Sequence, residues 1–372
     1  MASEAVQANA NPRRLSVGII GAGVIGLSCA EELSRRGARV CLYEANAPGR
    51  GASWVAAGMI APAFETAAEA GQHRKLAELC FQSAEMWPEF ADRLETDAGR
   101  EIGYVPGPSL AIAMNDPQAQ RLSEIACSLK QSSVKHQVLT AHDVRCLEPA
   151  VAETCRLGLR LHSDGQVDNR EVVGALLTIL HARPHVSLRT GAGVSDPEVL
   201  LSEHDAVLCT AGWQTTTLMN AFKPIEPIGG QLLALSQAKG APRHTIRSDH
   251  VYIAPKADRI VVGASVEPGQ VLNGVDETVL SALEAAAVSI CPALSEAKRL
   301  EAWAGVRPGT SDHAPLLGKV GRRSIYVASG HYRNGILLAP ITARYLANLI
   351  LENGRCDLAD AFSPNRFMSQ AL

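Results

Sequence analysis

Three glycines near the start of the chain have a spacing that lets main chain approach a phosphate group closely. Gly21, Gly23 and Gly26 form the pattern G-x-G-x-x-G directly after the apolar run at residues 17–20. In this pattern the first glycine allows a tight turn, the second lets the backbone approach a pyrophosphate, and the third lets a helix pack closely on a strand. The spacing therefore predicts a dinucleotide site at the N-terminus of a helix.

The residues around these glycines predict the elements that must position them. A helical pattern with Ile25 and Leu33 on one face comes next, Gly37 is placed to end it, and a second apolar run at residues 40–43 leads to Glu44. An acid about 20 residues after the first glycine suits a bond to a ribose hydroxyl. Because its carboxylate would repel a 2′-phosphate, the sequence favours FAD or NAD over NADP. The alternative is a glycine-rich turn in an ordinary α/β domain.

The bulk composition excludes several classes of function. The chain has 372 residues, 47% of them hydrophobic and 20% charged, with a formal net charge of −3. That length suggests two domains or one large one, and the charge balance offers no basic excess for nucleic acid or anionic lipid. No apolar stretch approaches the ~18 residues that a membrane span needs. We therefore expect neither a nucleic-acid partner nor a membrane partner.

The cysteines indicate the compartment. The chain has 9 of them and no C-x-x-C pair, and several lie inside apolar runs, as Cys29, Cys41 and Cys209 do. This usage is typical of small core residues in a reducing environment. We therefore expect a cytoplasmic protein without a disulfide framework and without a bound metal.

The hydrophobic period changes along the chain. Buried runs of the parallel type occur at the start, in the middle (206–213) and near the end (324–330), whereas from about residue 224 short strands separated by turn residues predict an antiparallel sheet. Gly335 is expected to begin a final long helix that ends near Asn353. The fold class that follows is α/β: a Rossmann-type dinucleotide-binding domain interrupted by an α+β substrate domain built on the antiparallel sheet.

Two blocks therefore interrupt the dinucleotide-binding domain. Residues 102–114, in the first of them, are expected to form a strand hairpin. After a flexible tail at residues 1–14, the predicted division assigns 15–85, 141–217 and 304–360 to the dinucleotide-binding domain, and 86–140 and 218–303 to the substrate domain.

Six motifs spread over the chain share one resemblance. They are Gly-Ala-Gly-Val-Ile-Gly at 21–26, Ala-Ala-Gly-Met at 56–59, Thr-Ala-Gly-Trp at 210–213, His-Val-Tyr-Ile-Ala-Pro at 250–255, Trp-Ala-Gly-Val-Arg-Pro-Gly-Thr at 303–310 and Gly-His-Tyr-Arg-Asn-Gly-Ile-Leu-Leu-Ala-Pro at 330–340. Together they resemble the D-amino-acid oxidase superfamily of flavoproteins, and most closely the glycine oxidases of the thiamine-thiazole pathway, over nearly the whole chain. The resemblance implies non-covalently bound FAD and oxidative deamination of a small amino acid. Glycine would yield glyoxylate, ammonia and hydrogen peroxide.

Removal of a hydride from the substrate Cα by a flavin needs orientation and electrostatics more than a protein base, so no residue is assigned as a catalytic acid or base. Arg307 can bind the substrate carboxylate bidentately; a domain-bridging ion pair is the alternative. The Tyr252 phenol would complete that site unless it is a core tyrosine. His250, two positions back, is either a pocket wall or an ordinary half-buried histidine. Arg333 is expected to face substrate and flavin together.

The resemblance also implies a set of flavin-binding residues. A helix beginning at Gly335 would place its N-terminus near the flavin N1 and C2 carbonyl and stabilise the negative charge of the reduced ring. Two departures from the family are visible: Ala52 has no hydroxyl where Thr or Ser is common, and only residues 195–205 separate Val194 from the next strand. The full set is Gly21, Gly23, Val24, Ile25, Gly26, Glu44, Ala52, Ser53, Ala57, Gly58, Met59, Val194, Gly212, His331, Tyr332, Asn334, Gly335, Ile336 and Leu337.

The expected partners are a small amino-acid substrate and molecular oxygen. The resemblance also implies a homo-oligomer, a tetramer as in the family it resembles. Two other functions stay open. One is a D-amino-acid dehydrogenase of the same fold that passes electrons to a quinone or another carrier. The other is a flavin-binding scaffold without catalysis.

Overall fold

The computed structural model describes residues 14–68, 74–219, 225–249, 251–354 and 359–370. The strands within these ranges are β1 (Ser16–Ile20), β2 (Arg39–Glu44), β3 (Met59–Ile60), β4 (Ser109–Ala113), β5 (His136–Thr140), β6 (Leu157–Leu161), β7 (Gly165–Gln166), β8 (Val186–Thr190), β9 (Ala206–Cys209), β10 (Ile225–Leu235), β11 (Ile246–Arg247), β12 (Tyr252–Pro255), β13 (Ile260–Gly263), β14 (Glu267–Pro268), β15 (Arg299–Thr310), β16 (Leu316–Lys319) and β17 (Ile325–Ser329).

The helices within the same ranges are α1 (Val24–Arg35), α2 (Ala52–Val55), α3 (Pro62–Ala68), α4 (Arg74–Ala98), α5 (Asp116–Gln131), α6 (Ala141–Leu147), α7 (Asn169–His181), α8 (Thr215–Leu218), α9 (Glu277–Ile290), α10 (Ala339–Glu352) and α11 (Ala359–Phe362). Short 3-10 segments cover Pro197–Ser202, Gly212–Gln214, Pro292–Glu296 and Pro364–Gln370. Both helices and strands are therefore distributed along the chain, and the α/β class is confirmed.

A six-stranded sheet in the order β16-β17-β9-β1-β2-β8 contains the predicted strand–helix–strand unit. Its strands run parallel from β17 to β8, and β16 is antiparallel to β17. The chain leaves β1 toward β2 and later returns on the other side of β1 with β9. This reversal creates a crevice at the carboxyl ends of the strands, where open α/β sheets bind their ligands.

The second sheet runs in the order β14-β10-β13-β12-β11-β4-β6-β5, and β15 pairs with β10 along its length. The predicted antiparallel sheet is confirmed for its pairs with one exception, because β4 and β11 run parallel. The chain between these two strands passes through the first sheet, so its length permits either direction. This parallel pair places Arg247 beside Ala111, and the β11–β12 pair places it opposite Tyr252.

Two local predictions about elements are wrong. Residues 102–114 do not form a hairpin: only β4 is a strand there, and Val105 forms an isolated bridge with Gln166. Pro106 and Pro108 lack the N–H groups that a first strand would need for its ladder. These residues instead connect the two sheets.

The final helix begins later than predicted. It starts at Ala339, four residues after Gly335, and Pro340 lies in its first turn. A helix begun at Gly335 would hold Pro340 beyond its first turn, where the missing N–H and the ring clash are unfavourable, whereas the first turn of α10 accommodates both. At the other end Asn353, with φ of 50°, takes the left-handed position that ends the helix.

The two sheets have separate apolar cores. The larger cluster lies between the six-stranded sheet and the helices α1, α4, α7 and α10, and another lies between the second sheet and α9. The predicted boundary at residues 85–86 falls inside α4, whose Trp87, Phe90 and Leu94 pack in the first cluster. The detailed division into domains stays a prediction.

Over the described ranges, no helix combines the length and apolarity needed to cross a bilayer. In the same part of the chain, no group of three or more His, Cys, Asp or Glu side chains is arranged to hold a metal ion.

Candidate active site

A first cavity of about 840 Å³ opens at the carboxyl ends of β1, β2 and β9. Gly21, at its inner end, has a φ of 100°, which side-chain-bearing residues rarely adopt. Gly26 does not line the cavity: a Cβ on it would lie 2.0 Å from the carbonyl oxygen of Gly21. Its role is the close packing of α1 against β1 that the glycine pattern predicts.

Glu44 is fixed at the wall of this cavity by main-chain donors. Its Oε2 accepts from the N–H of Ala22 at 2.8 Å and its Oε1 from that of Asn46 at 2.9 Å. The carboxylate therefore has a set orientation and keeps the acceptor capacity that a ribose hydroxyl needs.

The N-terminus of α1 faces the same cavity. Gly23, its N-cap, supplies no side-chain cap, and the N–H of Val24 donates to Ser53 Oγ at 2.8 Å. Ala52 lines the cavity with only a methyl group. A helix N-terminus without a carboxylate cap is a favourable place for a pyrophosphate.

The residues present fit a dinucleotide, because the cavity joins a helix N-terminus, a fixed acid and two ends suited to ring systems. At one end lies the segment after β8, and at the other the segment after β17. Thirteen of the predicted cofactor residues line it: Gly21, Gly23, Val24, Ile25, Glu44, Ala52, Ser53, Val194, Gly212, His331, Tyr332, Gly335 and Ile336.

A second cavity of about 660 Å³ lies between the second sheet and α3. It shares wall residues with the first cavity, among them Gly305, Val306 and Arg333. The remaining predicted residues that line it are Ala57, Gly58, Met59, Tyr252, Arg307 and Asn334. His250 lies outside the described residues. The structure therefore brings Arg307, Tyr252 and Arg333 to one cavity beside the dinucleotide site.

Arg307 projects from β15 across the neighbouring strand. Its Nη1 donates to the carbonyl oxygens of Gly229 and Ser265, both at 3.2 Å. A Cβ on Gly230 would lie 2.3 Å from Nη1, so a side chain at residue 230 would displace the guanidinium from this position. In the described part of the chain its hydrogen bonds go to carbonyl oxygens and not to a carboxylate, which leaves its charge available to a ligand.

Tyr252 also lies over a glycine. A Cβ on Gly263, opposite it in the β12–β13 pair, would lie 2.6 Å from the hydroxyl oxygen. Burial raises the pKa of Tyr252 to about 12, although Arg307 and two other arginines act in the opposite direction. The phenol is therefore a neutral hydrogen-bond donor at ordinary pH.

Two charged residues of this cavity were missed by the sequence reasoning. Arg247 Nη1 donates to Glu65 Oε1 at 2.6 Å, and Glu65 Oε2 lies 3.9 Å from Arg333 Nη1. Burial alone would raise the pKa of Glu65, but Arg247 and Arg333 outweigh it and hold that pKa below its ordinary value. No local sequence pattern marks this ion pair. Gly230 and Gly263 are a sequence signal only for Arg307 and Tyr252, the side chains that lie over them.

Asp164 holds α3, and with it Glu65, at the cavity. Its carboxylate oxygens accept from the N–H groups of Ala63 and Phe64 at 2.8 and 3.0 Å. Burial raises the pKa of Asp164 to about 7, against the opposing effects of Arg247 and the two N–H donors. The side chain therefore acts as a buried cap for the first turn of α3.

The segment after β17 carries the predicted flavin contacts in turns and not in a helix. Tyr332 has a φ of 48°, and its N–H donates to the carbonyl oxygen of Pro308 at 2.8 Å. His331 is buried beside Thr342, and burial lowers the pKa of His331 to about 3, so the ring is neutral.

Leu337 lines neither cavity. Its carbonyl oxygen accepts from Ser83 Oγ at 2.6 Å and from Trp87 Nε1 at 2.9 Å, so this residue ties the segment to α4. The helix dipole expected at Gly335 begins only at Ala339. The residues of this segment that line the first cavity are His331, Tyr332, Arg333, Gly335 and Ile336.

Known proteins share this arrangement of sequence and fold. The bifunctional protein ThiO/ThiG of Synechocystis sp. is 32% identical over 94% of this chain and 54% of its own length. The glycine oxidase of Geobacillus kaustophilus is 28% identical over 91% of this chain and 93% of its own. The crystal structure of glycine oxidase from that organism covers 95% of this chain with a TM-score of 0.88 and 29% identity, and 99% of its own chain is matched.

The chain spans about half the length of the bifunctional relatives it matches. The model of the DAO family, described as FAD dependent oxidoreductase, matches residues 16–349. With the fingerprint glycines, the fixed acid and the two joined cavities in place, the chain belongs to this family of FAD-dependent oxidoreductases, and its cofactor is FAD.

Proposed function

We propose that this protein catalyses the oxidative deamination of glycine and other small amines or D-amino acids, converting glycine, oxygen and water to glyoxylate, ammonia and hydrogen peroxide. The observation that carries the proposal is Arg307, a guanidinium oriented by two carbonyl oxygens in a cavity that adjoins the dinucleotide site. The similarity to proteins named glycine oxidase supports the same substrate class.

In this proposal the protein residues orient the substrate. Bound FAD supplies the hydride acceptor for the substrate Cα. Arg307 holds the substrate carboxylate through its fork of donors, and the neutral Tyr252 hydroxyl donates a further hydrogen bond. Small wall residues, including Gly230, Gly263 and Ala264, leave room for the substrate beside Arg307 and Tyr252.

Oxygen uptake tests the proposal directly. Purified protein is expected to be yellow and to consume oxygen with glycine, sarcosine or D-alanine, with half of the oxygen returned on addition of catalase. A yellow protein that turns over none of these amines would overturn the proposal. Turnover with a dye acceptor but not with oxygen would favour the alternative, a dehydrogenase that uses another carrier.

Replacing Tyr252 by phenylalanine tests its role as a neutral donor. Loss of one hydrogen bond to a charged carboxylate is expected to lower kcat/KM for glycine about 10-fold. Because burial raises the pKa of Tyr252 to about 12, the hydroxyl stays protonated up to about pH 11. The pH profiles of kcat/KM for the native protein and Tyr252→Phe should therefore be parallel between pH 7 and 10. An alkaline limb that disappears in the variant would contradict this assignment.

We also propose a cellular setting. The relatives named ThiO/ThiG support a role in supplying the oxidised glycine product to thiazole synthesis. No disulfide joins any two of the eight described cysteines, which supports a reducing compartment such as the cytoplasm. Assembly as a homo-oligomer, a tetramer by family resemblance, can be measured by light scattering of the FAD-bound protein.

A further inference from the structure

Arg247 is a buried cation in the wall of the second cavity that the proposed reaction leaves without a task. It is 5% exposed, and its guanidinium carbon lies 4.7 Å from the centroid of the Phe64 ring. It faces Tyr252 across the β11–β12 pair. A guanidinium buried this far is costly unless its donors are paired.

Glu65 pairs only one end of this guanidinium. Nη1 donates to the Glu65 carboxylate, whereas Nη2 meets the thioether sulfur of Met59 at 3.0 Å and Nε is buried without a partner among the described residues. A thioether is a weak acceptor. The edge formed by Nε and Nη2 is one of the two that a carboxylate can bind bidentately. Among the described residues, this donor pair has no oxygen acceptor.

Tyr252 lies near the same ion pair. The charges that act on its hydroxyl include those of Arg307, Arg247, Arg333 and Glu65. Glu65 is shared between Arg247 and Arg333. Glu65 therefore neutralises Arg247 only in part.

We propose that the Nε–Nη2 edge of Arg247 is a second anion site, through which this enzyme takes amino acids that carry a second carboxylate in addition to glycine. D-Aspartate and N-(carboxymethyl)glycine are members of this substrate class. The inference rests on the proposed function, because it places the first carboxylate on Arg307. Met59 covers the edge, and its unbranched, flexible side chain can turn aside to admit an oxygen atom.

Equilibrium binding of unreactive acids tests the site without turnover. Malonate, succinate and glutarate are titrated against acetate into the FAD-bound protein, with flavin absorbance as the readout. At least one diacid is expected to bind 10-fold or more tightly than acetate, as about one extra charged hydrogen-bond pair predicts. Arg247→Met should remove that advantage and keep the affinity for acetate within about 3-fold of the native value. Arg121→Met, at the exposed mouth of the cavity, is the matched control. It should change neither the affinity for acetate nor the preference for the diacid.

Glu65→Gln covers the case in which Arg247→Met does not fold. It leaves the guanidinium in place and removes the carboxylate that partly neutralises it, so the affinity for the best-binding diacid should rise at least about 3-fold. No diacid preference in the native protein, or an unchanged preference in Arg247→Met, would overturn the anion site, as would a diacid affinity that Glu65→Gln leaves unchanged.

Turnover of isosteric substrates separates this inference from the proposed function. D-Aspartate and D-asparagine differ in charge and hardly in size, so the ratio of their kcat/KM values should favour D-aspartate and should fall about 10-fold in Arg247→Met. Glycine oxidation by the same preparations is the reference. Protein that oxidises glycine without preferring D-aspartate contradicts the anion site alone, whereas yellow protein that oxidises no amine contradicts the proposed function.

Discussion

Arg307→Ala is expected to lower kcat/KM for glycine by about 100- to 1000-fold, mainly through a higher KM. The native guanidinium is held by the carbonyl oxygens of Gly229 and Ser265 and has no carboxylate partner among the described residues. Without it the substrate carboxylate has no cationic partner on β15. The expected loss of binding free energy is about 3–4 kcal/mol for a bidentate charged pair. Because the carboxylate is held equally before and during hydride removal, KM changes more than kcat. Steady-state oxygen uptake measures both.

Two variants give this prediction its controls. Arg307→Lys keeps the charge but not the fork, so its kcat/KM should fall between those of the native protein and the alanine variant. Arg121→Ala removes a cavity-mouth arginine whose side chain is 64% exposed, and it should change kcat/KM by less than about 3-fold. An unchanged KM in Arg307→Ala would remove Arg307 from carboxylate binding.

The dinucleotide half of the site could be predicted from the sequence because its signals are local. The glycine pattern, the apolar runs and Glu44 lie within one strand–helix–strand unit, and β1, α1 and β2 fall within a residue or two of the predicted bounds. The late start of the last helix could also be predicted from nearby residues, because proline is favoured in the first turn of a helix and Pro340 lies there in α10.

The charged residues of the second cavity could not be predicted in the same way. Arg247 reaches it through the parallel β4–β11 pair, which joins segments more than a hundred residues apart, and through the local β11–β12 register. Glu65 reaches it because the distant Asp164 caps α3. Neither pairing leaves a periodic trace in the sequence, so only the three-dimensional arrangement shows that Tyr252 faces this ion pair.

Gly58→Ala is expected to cost about 3–5 kcal/mol of folding free energy and most of the bound FAD. Gly58 has a φ of 73°, which strains any other residue, and a Cβ there would lie 1.9 Å from the carbonyl oxygen of Val167. That oxygen cannot retreat freely, because it accepts from the buried Lys256 Nζ at 2.8 Å. Thermal unfolding should show a Tm lower by at least about 5 °C, and the flavin-to-protein absorbance ratio should fall in the same preparation.

Gly51→Ala is the matched control for this position. Gly51 lies in the same small-residue segment, but its φ is −80° and a Cβ there meets nothing within 4 Å. Because no atom of the described residues lies near that Cβ, an alanine at residue 51 should keep the native Tm within about 1–2 °C. Residue 51 also lines the first cavity, so the FAD content of this variant reports on contact between the segment and the cofactor. If both variants lose FAD equally, the loss does not depend on the close approach of residue 58 to Val167, and the prediction for Gly58 is contradicted. If only Gly58→Ala loses it, FAD binding depends on the close approach of residue 58 to Val167.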